Sequence, residues 1–286
     1  MVTDKHVLAC IDGSAVTGSV CDYAAWYSAK LNISVALLNV SDVAASVRRD
    51  LSGAIGINSR QYLLDELSQL DEQRAQVVNS YSNALMEDAK SHIQNRFDVR
   101  VCSYQRRGKL LPAIEYFKDQ NCAIVMGRRG EDHKNSRINI GSQIETVARA
   151  SSVPVLICSE NFKVPQSYMV AFDGSQTAIN AIKTLSESEL LKGLQGHIVM
   201  ISHDSEESNI SLNAALTQMT AAGLLVQAHC IQKLDAVDGL LTFQMENDID
   251  IIVVGAYGRS KLRHLFLGST TTEIIASTVS PVLLVR

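Results

Sequence analysis

Gly255, Gly258 and Gly268 fall within VVGAYGRSKLRHLFLGSTTTEII, residues 253–275, with two residues between the first pair and nine before the third. Ser269 and Thr270 follow Gly268 directly. Glycine lets main chain approach a ligand with no side chain in between. A helix that begins at Gly268 would offer unpaired N–H groups, a favourable dipole and hydroxyl donors to an anion. Arg259, Lys261 and Arg263 lie in the loop between and could balance phosphate charge. The same residues also fit a plain turn, a capped helix and a solvated charged loop, so the surrounding elements must decide.

Other chemistries lack their signatures. The sequence contains no G-x-x-x-x-G-K-S/T, H-E-x-x-H, early G-x-G-x-x-G or G-x-S-x-G motif, which removes the main support for P-loop, metalloprotease, dinucleotide and esterase readings. Ser202, His203 and Asp204 are contiguous, but on a strand His203 would face away from both neighbours and could not relay a proton between them. His133 and His264, in the two glycine loops, are expected to face solvent. The six cysteines show no C-x-x-C spacing, and Cys10, Cys122 and Cys158 sit in apolar runs, so neither metal nor disulfide is expected. A net charge of −4 is modest and of the wrong sign for a nucleic-acid partner. No apolar run is long enough for a membrane span, and the amino terminus lacks a signal-peptide pattern, which gives the expectation of a cytoplasmic protein.

The chain repeats itself. HVLACIDGS (6–14) matches YMVAFDGS (168–175), AIVMGRRG (123–130) matches IIVVGAYG (251–258), and GSQIETVARASSVPVLICS (141–159) matches GSTTTEIIASTVSPVLLVR (268–286) without a gap. Three collinear matches predict a duplicated domain, divided at 1–160 and 161–286. In each copy, short Val/Ile/Leu-rich runs alternate with stretches of helical period, the pattern of strand–helix–strand units and a parallel sheet covered on both faces. The expected fold is α/β: two tandem, doubly wound, five-stranded Rossmann-like domains. The last strands, PVLICS and PVLLVR, would be exposed edges unless the halves pair about an approximate twofold axis. Residues 43–70 have no counterpart in the second copy and are expected to form a partly irregular excursion that modulates access to the first pocket, or a surface segment without that role.

A tandem of such units, each with a strand ending in Asp-Gly-Ser and a late glycine series, resembles the universal stress protein family in its two-domain, adenine nucleotide hydrolase-like form. The resemblance spans essentially the whole chain, and residues 255–270 keep the family's nucleotide-binding spacing. It implies ATP, ADP or AMP as ligand, with Asp173 meeting the ribose and main chain near His203 meeting adenine. The site then comprises Phe172, Asp173, His203, Gly255, Gly258, Arg259, Gly268, Ser269 and Thr270. Asp173 beside a triphosphate could also hold Mg²⁺ weakly.

The first copy departs from this pattern, since ten residues separate Gly130 from Gly141, and Gln143 follows Ser142. Arg128 and Arg129 there could bind an anion or face water. The second half carries 8 Lys or Arg against 12 Asp or Glu, while three of those cations lie in its glycine loop. The expected function is therefore nucleotide binding, mainly in the second half, by a stress-response protein. A protein-binding adaptor and a slow ATPase or autophosphorylating enzyme are the alternatives, and an unknown protein partner or a homodimer is left open.

Overall fold

The computed structural model describes residues 5–41, 57–128, 142–202, 206–256 and 268–286. Its first half runs β1 (His6–Ile11), α1 (Thr17–Leu31), β2 (Ser34–Ser41), α2 (Ile57–Arg96), β3 (Val101–Arg107), α3 (Leu110–Tyr116), β4 (Asn121–Gly127), α4 (Ser142–Ala150) and β5 (Val155–Cys158). The second half runs β6 (Ser167–Ala171), α5 (Gln176–Ser186), β7 (Gln195–Ile201), α6 (Glu206–Ala221), β8 (Leu225–Ile231), α7 (Ala236–Glu246), β9 (Ile251–Gly255), α8 (Ser269–Ser277) and β10 (Val282–Val285).

All ten strands form one sheet in the order β3-β2-β1-β4-β5-β10-β9-β6-β7-β8. Each half thus contributes the same five-stranded parallel order. The halves meet where β5 and β10 pair antiparallel, Leu156 opposite Leu283. This is the twofold pairing that two uncharged edge strands demand, because each satisfies the other's backbone groups. The central strands are apolar throughout because helices cover both faces. Residues of α1, α2, α5 and α6, among them Trp26, Ile93, Ile182 and Met219, share one core layer. Residues of α3, α4, α7 and α8, among them Ile114, Ile144, Phe243 and Ile274, share the other.

Residues 57–70, expected within a partly irregular excursion that overlaps the helical stretch 63–93, belong to α2, which is 40 residues long. Residues 42–56 lie outside the described residues. Among the described side chains, the later part of α2 packs on the body, through Ser82, Met86, Ala89 and Ile93 at helical spacing. Its carboxyl end is fixed by buried Asp22 of α1, which accepts from Arg96 Nη1 at 2.7 Å and lies 2.8 Å from His92 Nε2. The segment joining the halves is held by Asp250, which accepts the N–H groups of Gln166 and Ser167 and an ion pair from Lys163 at 2.7 Å.

Arg128 does not simply face water. Its guanidinium crosses to the other half, where Nη1 donates to the carbonyl of Thr278 and Nη2 to that of Ser280 at 3.0 Å. Arg286 returns the contact, donating to the carbonyl of Ser151 at 3.2 Å. Arg128→Ala should cost about 1.5–3 kcal/mol, the loss expected for charge-assisted bonds to partly buried carbonyls. Denaturant titration would show this as a lower midpoint, and an unmoved midpoint would refute the tie.

His197 of β7 and His229 of β8 lie side by side, with Nδ1 and Nε2 3.0 Å apart, under the ring of Phe243. Burial holds both imidazoles below their ordinary value of 6.5, and for His197 the neighbouring His229 adds to the effect. The unfolded chain therefore binds more protons than the folded one as pH falls through about 6.5. Stability conferred by neutral histidines should be fully present above that value and decline below it. Unfolding free energies of wild type and His229→Gln, compared at neutral and mildly acidic pH, should diverge most at neutral pH. Parallel pH profiles would contradict this.

Candidate nucleotide site

In an open parallel sheet, ligands settle at the carboxyl ends of strands where successive connections leave for opposite faces. In the second half that point lies between β6 and β9, which pair directly, Ala171 opposite Val254. The helix after β6 covers one core layer and the helix after β9 the other. The two sequence signals of the second half, Asp-Gly-Ser and the glycine series, open at this crevice.

The Asp-Gly-Ser turn is built by its own side chains. Asp173 is exposed, and its Oδ1 accepts the N–H of Ser175 at 2.9 Å, bending the chain back on itself. Gly174 supplies the required positive φ of 73°. Ser175 caps α5, its Oγ accepting the N–H of Ala178 at 3.3 Å. Phe172 takes a different place from Asp173. Its side chain is buried in the core layer under α5 and α6, and its N–H donates to the carbonyl of Val199. Only the main chain of Phe172 borders the crevice.

Gly255 ends β9, and the space a side chain would fill is taken by the first turn of α5. A Cβ there would lie 2.7 Å from the Thr177 carbonyl oxygen and 3.0 Å from the Ala178 nitrogen. This glycine thus permits close packing of helix on strand end, and so sets how near the Asp173 turn stands to β9.

Gly268 caps α8 with φ −54° and ψ 147°. Among the described residues, a Cβ there would meet only Thr271 Oγ1, at 4.0 Å. Ser269 and Thr270 are exposed in the first turn of α8, where helix geometry leaves N–H groups without intrahelical acceptors. Because α8 follows β9 and returns antiparallel to β10, this turn lies on the carboxyl side of the sheet, as an anion site requires. His203, Gly258 and Arg259 lie outside the described residues, as do Lys261 and Arg263.

The halves differ at the matching turn. In the first, Asp12 Oδ1 accepts the N–H of Ser14 at 3.0 Å and Gly13 has φ 81°, the same turn as at Asp173. A Cβ at Gly13, however, would overlap the hydroxyl of Tyr81 from α2. At Gly174 the nearest neighbour is the smaller Ser211 Oγ of α6, 3.5 Å away. Tyr81 lies beyond residues 43–70, and no motif marks it; only its place on the packed part of an unusually long helix brings it to the turn. Gly130 and Gly141 lie outside the described residues.

The universal stress protein family profile matches residues 4–159 and 200–286. A universal stress protein of Synechocystis sp. is 29% identical over 287 residues, spanning 99% of this chain and 100% of its own length. Among solved structures, a universal stress protein from Archaeoglobus fulgidus superposes with a TM-score of 0.65 at 21% identity, covering 99% of this chain and 96% of its own. A putative universal stress protein from Pseudomonas aeruginosa gives 0.60 at 15% identity, covering 98% and 92%. With the repeated order of five strands, the paired Asp-Gly-Ser turns and a profile match over both halves, the chain belongs to the universal stress protein family.

Proposed function

We propose that this chain, divided near residue 160 into two domains, is a cytoplasmic stress-response protein that binds ATP or a related adenine nucleotide in its second half. The observation that carries the reading is the open first turn of α8. Gly268 leaves it uncrowded, and Ser269 and Thr270 are exposed at the carboxyl side of the sheet, beside the β6–β9 crevice. The turn after β6 presents Asp173 for a ribose. Asp173 commits one carboxylate oxygen to Ser175 N–H, and among the described residues no group of three His, Cys, Asp or Glu could hold a metal. A Mg²⁺ ion would accordingly arrive on the phosphates, with Asp173 as a single protein ligand. No general base is assigned, so bound nucleotide acts as a regulatory ligand, hydrolysed slowly or not at all.

Mass spectrometry of small molecules released from denatured, freshly purified protein should show an adenine nucleotide. Timed ATP turnover, with Gly268→Val as control, should show slow hydrolysis at most; rapid turnover lost in the variant would make the chain an ATPase. A second reading, a protein-binding adaptor, is favoured by Leu67, Leu70 and Val77, which are 48%, 56% and 69% exposed on α2. It takes over if neither released nor added nucleotide is found.

A further inference from the structure

Between the ends of α1 and α5, against β10, lies a cavity of about 390 Å³. Its lining is mostly apolar and draws on both halves, with Tyr27, Leu31 and Cys122 from the first and Leu185, Leu283 and Val285 from the second. The volume is within the range of small-molecule pockets. Among the described residues no basic side chain lines it, whereas Glu187 and Glu189 do, Glu189 being paired with Lys192 at 2.6 Å. Val285 pairs with Gly255, so the cavity lies one strand over from the β6–β9 crevice and is separate from it.

The repeat shows what such a place holds. The two copies align without a gap from Asp12 and Asp173 to Asn32 and Gly193, which are both left-handed. On this alignment Thr184 stands where the first half has Tyr23, and Cys122 stands where the second half has Asp250. The twofold counterpart of the cavity is filled. Tyr23 is buried there, its ring edge-on to Phe162 with centroids 4.8 Å apart and its hydroxyl 3.5 Å from the Lys163 nitrogen. Lys163 in turn pairs with Asp250 at 2.7 Å, and Cys158, the counterpart of Val285, lies near Tyr23. At the cavity, Thr184 is too short to do the same, and its hydroxyl donates to the carbonyl of Arg286 at 3.4 Å.

We propose that this junction cavity binds an uncharged, single-ring aromatic small molecule, which takes the place that Tyr23 and Phe162 hold in the other half. An aromatic acid does not fit, because its carboxylate would lose water with no cation to receive it.

The probe is p-cresol, the tyrosine side chain as a free molecule. Calorimetric titration into the full chain should show saturable binding with a dissociation constant of about 1 mM or below. Cys122 is partly exposed, and bound p-cresol should slow its alkylation, followed by peptide mass spectrometry, while Cys102 and Cys230 react as before. Thr184→Tyr places in the cavity the ring that the first half already has, and should raise the dissociation constant at least about tenfold. If that variant does not fold, the protection of Cys122 decides. No saturable binding up to about 10 mM, binding that leaves Cys122 as reactive as before, or binding unchanged in a folded Thr184→Tyr overturns the proposal.

Discussion

Gly268→Val should weaken ATP binding by at least about a hundredfold and leave the fold intact. The backbone at Gly268 is extended, so the valine meets no conformational barrier there. Glycine stands at this position for space, not for a left-handed backbone. Among the described residues a Cβ would find almost nothing nearby, and the cost to the helix cap should stay within about 1 kcal/mol. A phosphate seated on the N–H groups of Ser269 and Thr270 would meet the isopropyl group. Losing two or three charge-assisted bonds, each worth about 1.5–3 kcal/mol, exceeds the roughly 2.7 kcal/mol that corresponds to a hundredfold. Calorimetric titration checks the affinity and a thermal melt checks the fold. A variant that binds normally would mean that the ligand does not use the α8 terminus.

Gly255→Ala should act in the opposite way, on stability before binding. The added methyl would stand 2.7 Å and 2.8 Å from the carbonyl oxygen and carbon of Thr177, both backbone atoms that no rotamer change can move. The first turn of α5 must lift from the sheet. Overpacking of this kind costs about 1–3 kcal/mol, and the Asp173 turn moves with the helix, so affinity should fall too. A denaturant midpoint equal to wild type would show that the contact yields more easily than its geometry implies.

The fold was largely legible in the sequence because periodicity reports burial. Strands covered on both faces must be continuously apolar, and HIVMI or IIVVG can be little else. The antiparallel junction followed from two uncharged last strands that needed a partner. The start of α2 was harder to read, since residues 66–74 are exposed all round, and a solvated helix imposes no apolar stripe on its sequence.

At the site, the turn residues Asp173, Gly174 and Ser175 were legible because short-range hydrogen bonds dictate those residue types. Three other assignments depended on contacts between distant segments, which local spacing does not encode. Gly255 proves to face a helix turn, the Phe172 side chain lies in the core, and Arg128 bridges to Thr278 and Ser280. Tyr81 over Gly13 belongs with them, for its partner lies 68 positions earlier in the chain.

The most direct measurement is a calorimetric titration of ATP into wild type, Gly268→Val and Gly141→Val. Binding is expected at the second half of the wild type, largely retained in Gly141→Val and lost in Gly268→Val. Binding that survives Gly268→Val and disappears in Gly141→Val would place the nucleotide in the first half, and a wild type without affinity for any adenine nucleotide would contradict the account altogether.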